Sequence, residues 1–239
     1  VSNKRKVKPR TGGVYIGYLH PADVSAAFHK SVVELMLFDA LGPRRVVGGG
    51  GRYCSANVSN GRNGIVKDFL ASPAEWLLML DSDMMFDPTL IEDFLADADA
   101  DSAPFVGGLC FGINDGALFP TLYGLERADD GTVGTIRYEA YPEDSLFQVA
   151  ATGAACTFVH RRVYEAIAAR QFNAAFPWYQ ETEMSGRPVG EDFTFCLRAG
   201  LCDFPVYVHT GIHVGHHKSH VLTAEMYQQQ RAALIKEKT

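Results

Sequence analysis

No apolar stretch among the 239 residues approaches the roughly 20 needed to cross a bilayer as a helix, so the sequence predicts no transmembrane segment. The basic start, Lys4-Arg5-Lys6-Val7-Lys8-Pro9-Arg10, is not followed by an apolar core, and the pattern of a secretory signal is missing. Residues 1–11 read instead as a basic flexible tail. Cysteines are few and odd in number (Cys54, Cys110, Cys156, Cys196, Cys202), form no Cys-x-x-Cys, and sit mostly inside apolar runs. That pattern predicts reduced core thiols and a cytoplasmic protein. Basic charge is short as well: the net charge of −6 argues against a nucleic-acid partner, which requires a basic face. Repeats, low-complexity tracts and Pro/Ser linkers are also lacking, so 12–239 reads as a single domain long enough to bury a core.

What is present is an alternation of strand and helix patterns. Val14 to Leu19 is a β-prone run ending at His20-Pro21. Val24 to Leu41 has helical spacing and stops at Gly42-Pro43. Arg45-Val46-Val47 reads as a second strand with Gly48 to Gly51 as a flexible turn, and Asn60 to Ala71 as a helix. Trp76 to Leu80 is continuously apolar, as a strand covered on both faces must be. Asp87-Pro88 opens another helix, with Asp87 as its cap, and Phe105 to Phe111 is a further strand. This order predicts an α/β fold with a mostly parallel, Rossmann-type central sheet and helices on both faces. Later helices are expected at Arg161 to Arg170, Glu191 to Ala199 and Thr223 to Lys236.

Ligands of such sheets bind beyond the carboxyl ends of the strands, and Asp81-Ser82-Asp83 lies at one. Asp81 and Asp83 are one residue apart, so an extended strand would point both to one side. Two hard oxygen ligands there suit Mn²⁺ or Mg²⁺ with positions left open for phosphate oxygens. The plainer reading is a solvated acidic turn. Glu191 and Asp192 follow Gly190 at a helix start, where acids also simply favour the helix dipole; as chemistry, Asp192 is the candidate general base and Glu191 its neighbour that orients an acceptor. In the histidine-dense segment after His209, His216 is the best candidate nitrogen ligand and His213 the second, with Lys218 a candidate for diphosphate charge. His20, Asn57, Arg62 and Asn63 are candidates for nucleotide contacts, and Gly153, in a small-residue run, for a close pass under a sugar. Phe172, Phe176, Trp178 and Tyr179 form an aromatic stretch that reads either as an acceptor loop or as a hydrophobic anchor.

In these motifs the chain resembles the GT-A-fold glycosyltransferases, similar to the family 2 type: Asp81-Ser82-Asp83 at a strand end, Glu191-Asp192 opening a helix that runs on to Gly200, then Gly215-His216. The resemblance covers about 12 to 220 and divides the domain into a nucleotide-binding half (12–112), an acceptor and catalytic half (113–220) and a C-terminal helix (221–239). It implies a nucleoside-diphosphate-sugar donor, UDP- or GDP-linked, and an acceptor hydroxyl on an unknown molecule, such as a protein or glycan. Asp83 would be the principal metal carboxylate, Asp81 would contact ribose or metal-bound water, and His216 would complete the metal site. Ser82 would sit with them at the nucleotide, and Asp192 would act as base in an inverting displacement. The second strand departs from the family pattern in ending on glycines without an acid. A nucleotidyltransferase is the first rival, although Thr11-Gly12-Gly13 precedes the first strand instead of following it. A non-catalytic nucleotide- or sugar-binding module of the same fold is the second.

Overall fold

The computed structural model describes residues 12–54, 56–114 and 116–218; the expected basic tail and the helix expected over Thr223 to Lys236 lie outside the described residues. The chain runs through β1 (Val14–His20), α1 (Ala26–Leu41), β2 (Val46–Tyr53), α2 (Val58–Ala71) and β3 (Trp76–Asp81). A two-residue β4 (Met84–Met85), α3 (Leu90–Asp97) and β5 (Phe105–Leu109) follow, then the hairpin of β6 (Phe111–Asn114) and β7 (Ala117–Pro120). Next come β8 (Leu122–Arg127), β9 (Val133–Arg137), β10 (Leu146–Val149), β11 (Ala151–Thr152) and β12 (Cys156–His160). The described part closes with α4 (Arg161–Arg170), β13 (Thr182–Met184), β14 (Arg187–Val189), α5 (Glu191–Leu201), β15 (Val206–His213) and β16 (Gly215–His216).

Seven strands form the central sheet in the order β10-β15-β5-β12-β3-β1-β2. β2, β1, β3, β5 and β15 run one way; β12 is antiparallel to both β3 and β5, and β10 to β15. The sheet is mostly parallel, as its apolar strands and intervening helices require. One face packs on Ile65, Val66 and Phe69 of α2, Val163, Tyr164 and Ile167 of α4, and Phe195 and Ala199 of α5. The other packs on Phe28 and Leu35 of α1 and Leu90, Ile91 and Phe94 of α3. α2 lies so near β1 that a Cβ on Gly17 would sit 2.3 Å from Ile65 Cγ2, which only glycine avoids. Among the described residues no helix is long and apolar enough to cross a membrane, and all five cysteines are free thiols.

Several local expectations need correcting. Gly48 to Gly51 lie inside β2, paired one for one with β1, and do not form a turn. Backbone hydrogen bonding at a sheet edge tolerates residues without side chains, and glycine's weak strand preference is overridden by the register with β1. α1 begins at Ala26, capped by Ser25, whose Oγ accepts from Phe28 N at 3.0 Å. α3 begins at Leu90 with Thr89, not Asp87, at its cap position. The run Phe105 to Phe111 is divided: β5 stops at Leu109, and Phe111 starts the separate β6–β7 hairpin.

Candidate functional site

β3 carries its buried apolar residues to the edge of the core and delivers Asp81, half-buried, at its carboxyl end. The extended chain then stops: Ser82 and Asp83 form a turn before β4, so the one-side argument from strand geometry does not reach Asp83. The two carboxylates take different partners. Asp81 Oδ1 accepts from Arg62 Nη2 at 2.8 Å. Asp83 Oδ2 lies 3.0 Å from His216 Nε2 and accepts from Lys218 Nζ at 2.9 Å.

His216 is brought to Asp83 by the backbone. β16 pairs antiparallel with β4, His216 opposite Met84, and His217 N donates to Asp83 O at 2.8 Å. The ring is oriented by its other nitrogen, Nδ1, which donates to Phe111 O at 3.0 Å. That turns Nε2 toward Asp83, the arrangement in which a carbonyl-anchored imidazole can serve a metal. Nε2 and the Asp83 oxygen, 3.0 Å apart, can share a proton or together face a cation. The oxygen–nitrogen donor set suits Mn²⁺, and Lys218 supplies positive charge at the same oxygen. Asp83 and His216 would hold such an ion as two protein ligands. Among the described residues no group of three or more His, Cys, Asp or Glu side chains forms a ready-made cage, so a bound ion would need further ligands from outside the protein.

These residues line a pocket of about 430 Å³ off the carboxyl ends of β1 and β3, with His20, Arg62, Asp81, Ser82, Asp83, His216 and Lys218 on its walls. His20 Nδ1 donates to Pro21 O at 2.6 Å. Ser82 O accepts from Ser25 N at 3.1 Å, tying the floor to the start of α1. Asn57 and Glu191 line an adjoining pocket of about 630 Å³ with Phe176, Gln180 and Glu181; Val58 borders both. Asn57 is the N-cap of α2, its side chain accepting from Asn60 N at 2.8 Å.

Two expected contacts are placed elsewhere. Asn63 is buried, and its amide donates to Ser59 O and Tyr179 O and accepts from Trp178 N; it pins the aromatic segment to α2 and faces protein. Trp178 and Tyr179 are likewise buried anchors, and Arg198 holds the carbonyls of Phe176 and Pro177. Only Phe176 of that stretch lines the second pocket. His213 lines a third concavity with Glu143 and Asp144, apart from Asp83.

Gly190 caps α5 without a side-chain hydrogen bond, and the neighbours Glu191 and Asp192 diverge. Glu191 Oε1 accepts from Arg62 Nη1. Burial raises the Glu191 carboxyl above the usual glutamate value against the pull of Arg62, with Asp192 adding to the rise. Asp192 makes no ion pair among the described residues; its Oδ1 accepts from Phe193 N at 2.7 Å. A Cβ built on Gly153 would lie 3.7 Å from Asp192 Oδ2, so the small-residue run does pass beside this acid. Burial disfavours charge on Arg62, but Asp81 and Glu191 outweigh it and hold the guanidinium protonated. The sequence carried a signal for that role: Arg62 shares the i, i+3, i+4, i+7 face of α2 with Ile65, Val66 and Phe69, and a cation on an apolar face requires buried acids. The Phe111 carbonyl had no such signal.

By sequence the chain matches no family model and no curated protein. By structure it is similar to GalNAc-T7 crystallised with UDP, GalNAc and Mn²⁺, with a TM-score of 0.56 at 10% identity over 87% of this chain and 44% of that one. The chain thus spans less than half the length of that protein. Looser likenesses are A197 from STIV (TM-score 0.46, 16% identity, 87% of this chain and 96% of that one) and a glycosyltransferase involved in glycosylation of the major capsid of PBCV-1 (TM-score 0.37, 12% identity, 68% of each chain). The architecture is that of a GT-A-like fold.

Proposed function

We propose that this protein is a glycosyltransferase of the family 2 type that moves a sugar from a UDP- or GDP-linked donor to an acceptor hydroxyl, assisted by Mn²⁺ or Mg²⁺. The observation that carries the reading is the pairing of Asp83 with His216 Nε2, oriented through Phe111 O and accompanied by Lys218, in a pocket off the sheet's carboxyl edge. The GT-A-like architecture supports it, as does a carboxylate at Asp192 that makes no ion pair among the described residues.

Asp83 and His216 would hold the metal, whose charge, when bound, offsets the negative charge growing on the diphosphate. Lys218 adds a fixed positive charge beside the same oxygens. The acceptor oxygen forms its bond to the anomeric carbon as the bond from that carbon to the diphosphate oxygen breaks. Asp192 takes the acceptor proton, and the nucleoside diphosphate leaves. Attack opposite the leaving group inverts the anomeric centre. His20 and Ser82 line the donor pocket, Asn57 the adjoining one, and Gly153 leaves room for the sugar beside Asp192.

Calorimetric titration of UDP and GDP, with and without Mn²⁺, on wild type and Asp83→Ala tests this. Mn²⁺-dependent binding of one nucleotide, lost in the variant, is the expected result. Binding of neither overturns the reading. Binding that ignores Mn²⁺ but falls in Lys218→Ala would favour a lysine-based, metal-free site, a reading that the short Lys218–Asp83 contact makes worth separating.

A further inference from the structure

We propose that Arg62 is a positioning residue that locks the strand end of the donor site to the helix carrying the base. It is not a ligand contact. The chemistry that it would serve rests on the proposed function; the lock itself rests on geometry.

Its guanidinium is almost fully buried, with 6% of the side chain exposed, whereas Asp81 and Glu191 are 32% and 17% exposed. Arg62 and Asp81 reach the donor pocket and Glu191 the adjoining one, with the cation the least exposed of the three. The donors are divided between elements far apart in sequence: Nη2 holds Asp81 at the end of β3, and Nη1 holds Glu191 at the start of α5. Tyr179 lies beneath, its ring centroid 5.8 Å from the guanidinium carbon. Nε is buried without a partner, so both of the site's acids depend on the outer two nitrogens.

α5 needs such a fastening. Its cap residue is Gly190, which has no side chain to satisfy the first-turn amides, and Asp192 turns back on Phe193 N. Within the helix, the first turn is closed by Thr194 N donating to Gly190 O at 3.0 Å. The Glu191–Arg62 pair ties this turn to the strand end at Asp81, Thr194 Oγ1 separately meets Thr182 Oγ1 at 2.8 Å, and Asp192 is the residue after Glu191. Arginine suits the task because its rigid fork presents two donors to two acids at once; lysine offers a point charge on a flexible stem.

The test compares wild type with Arg62→Lys by nucleotide affinity, turnover and amide hydrogen exchange at Thr194. The expected result is UDP or GDP affinity within about threefold of wild type and kcat lower by about tenfold or more. Exchange at Thr194 should rise by about tenfold while the buried centre of β3 keeps its protection. Weaker nucleotide binding at unchanged kcat would overturn the proposal and make Arg62 a ligand contact, as would unchanged exchange at Thr194. Should Arg62→Lys not fold, Glu191→Gln, which leaves Arg62 paired with Asp81, is judged by the same exchange criterion. If wild type binds neither nucleotide, the proposed function fails, and the exchange measurement still decides the lock.

Discussion

Glu191 and Asp192 are chain neighbours held in opposite ways, one against a buried guanidinium and the other beside Gly153 with no ion pair among the described residues. A base must have its proton affinity free for the acceptor, so the unpaired acid is the one whose removal should affect turnover alone. Asp192→Asn is expected to lower kcat by about 10²–10⁴-fold while nucleotide titration stays at the wild-type affinity. An equal loss in Glu191→Gln with little effect at Asp192 would exchange their roles. At this scale the sequence offers candidates through the order of three motifs, acids at a strand end, acids at a helix start and a later Gly-His, each weak alone. What each side chain touches was not legible. Asn63 has the same composition signal as a ligand-binding amide, yet its partners, Trp178 and Tyr179, are more than a hundred residues away in sequence. The separation of Asp81 from Asp83 depended on a turn at Ser82 that alternation rules do not foresee.

Elements were legible wherever apolar spacing was strong, as in α2, α4, α5 and β3. Local propensity truncates β2 at Val47 because glycine is a poor strand former, while the parallel register with β1 is a long-range fact. One junction between elements makes a pH-dependent prediction. His160 ends β12 and caps α4, its Nδ1 accepting from Arg162 N at 3.3 Å, with its ring edge-on to Trp76 at 4.8 Å. Burial holds its pKa below the ordinary 6.5, against the raising effect of Glu75. The unfolded chain therefore takes up this proton more readily than the folded one. The stabilisation is fully present above pH 6.5 and is lost as the pH falls through the folded value. Protonation also removes the cap acceptor. Tm measured from pH 7.5 down to pH 5.5, about one unit either side of the ordinary histidine value, is expected to fall, and the slope to flatten in His160→Gln. An identical slope in the variant would assign the pH dependence to another group.

For the whole molecule, the boundary near residue 112 between a nucleotide half and a catalytic half follows the order of motifs in the chain, but not the order of strands in the sheet. β5 reaches β3 through β12, which comes from residues 156–160, and β15, from still later, pairs with β5. A fragment of residues 12–112 is accordingly expected to show no cooperative transition in urea, where the whole chain shows one; a sigmoidal transition in the fragment would restore the half as an independent unit. The same placement of β12 bears on how the chain is made. As it emerges from the ribosome, β3 and β5 each present an apolar strand with an open edge. The β3 edge waits for roughly 75 further residues and the β5 edge for roughly 50 before β12 is made, an interval of several seconds at ordinary elongation rates. Through that interval the two open strand edges are where a chaperone or a second nascent copy would pair, so slower translation is expected to lower the yield of folded protein.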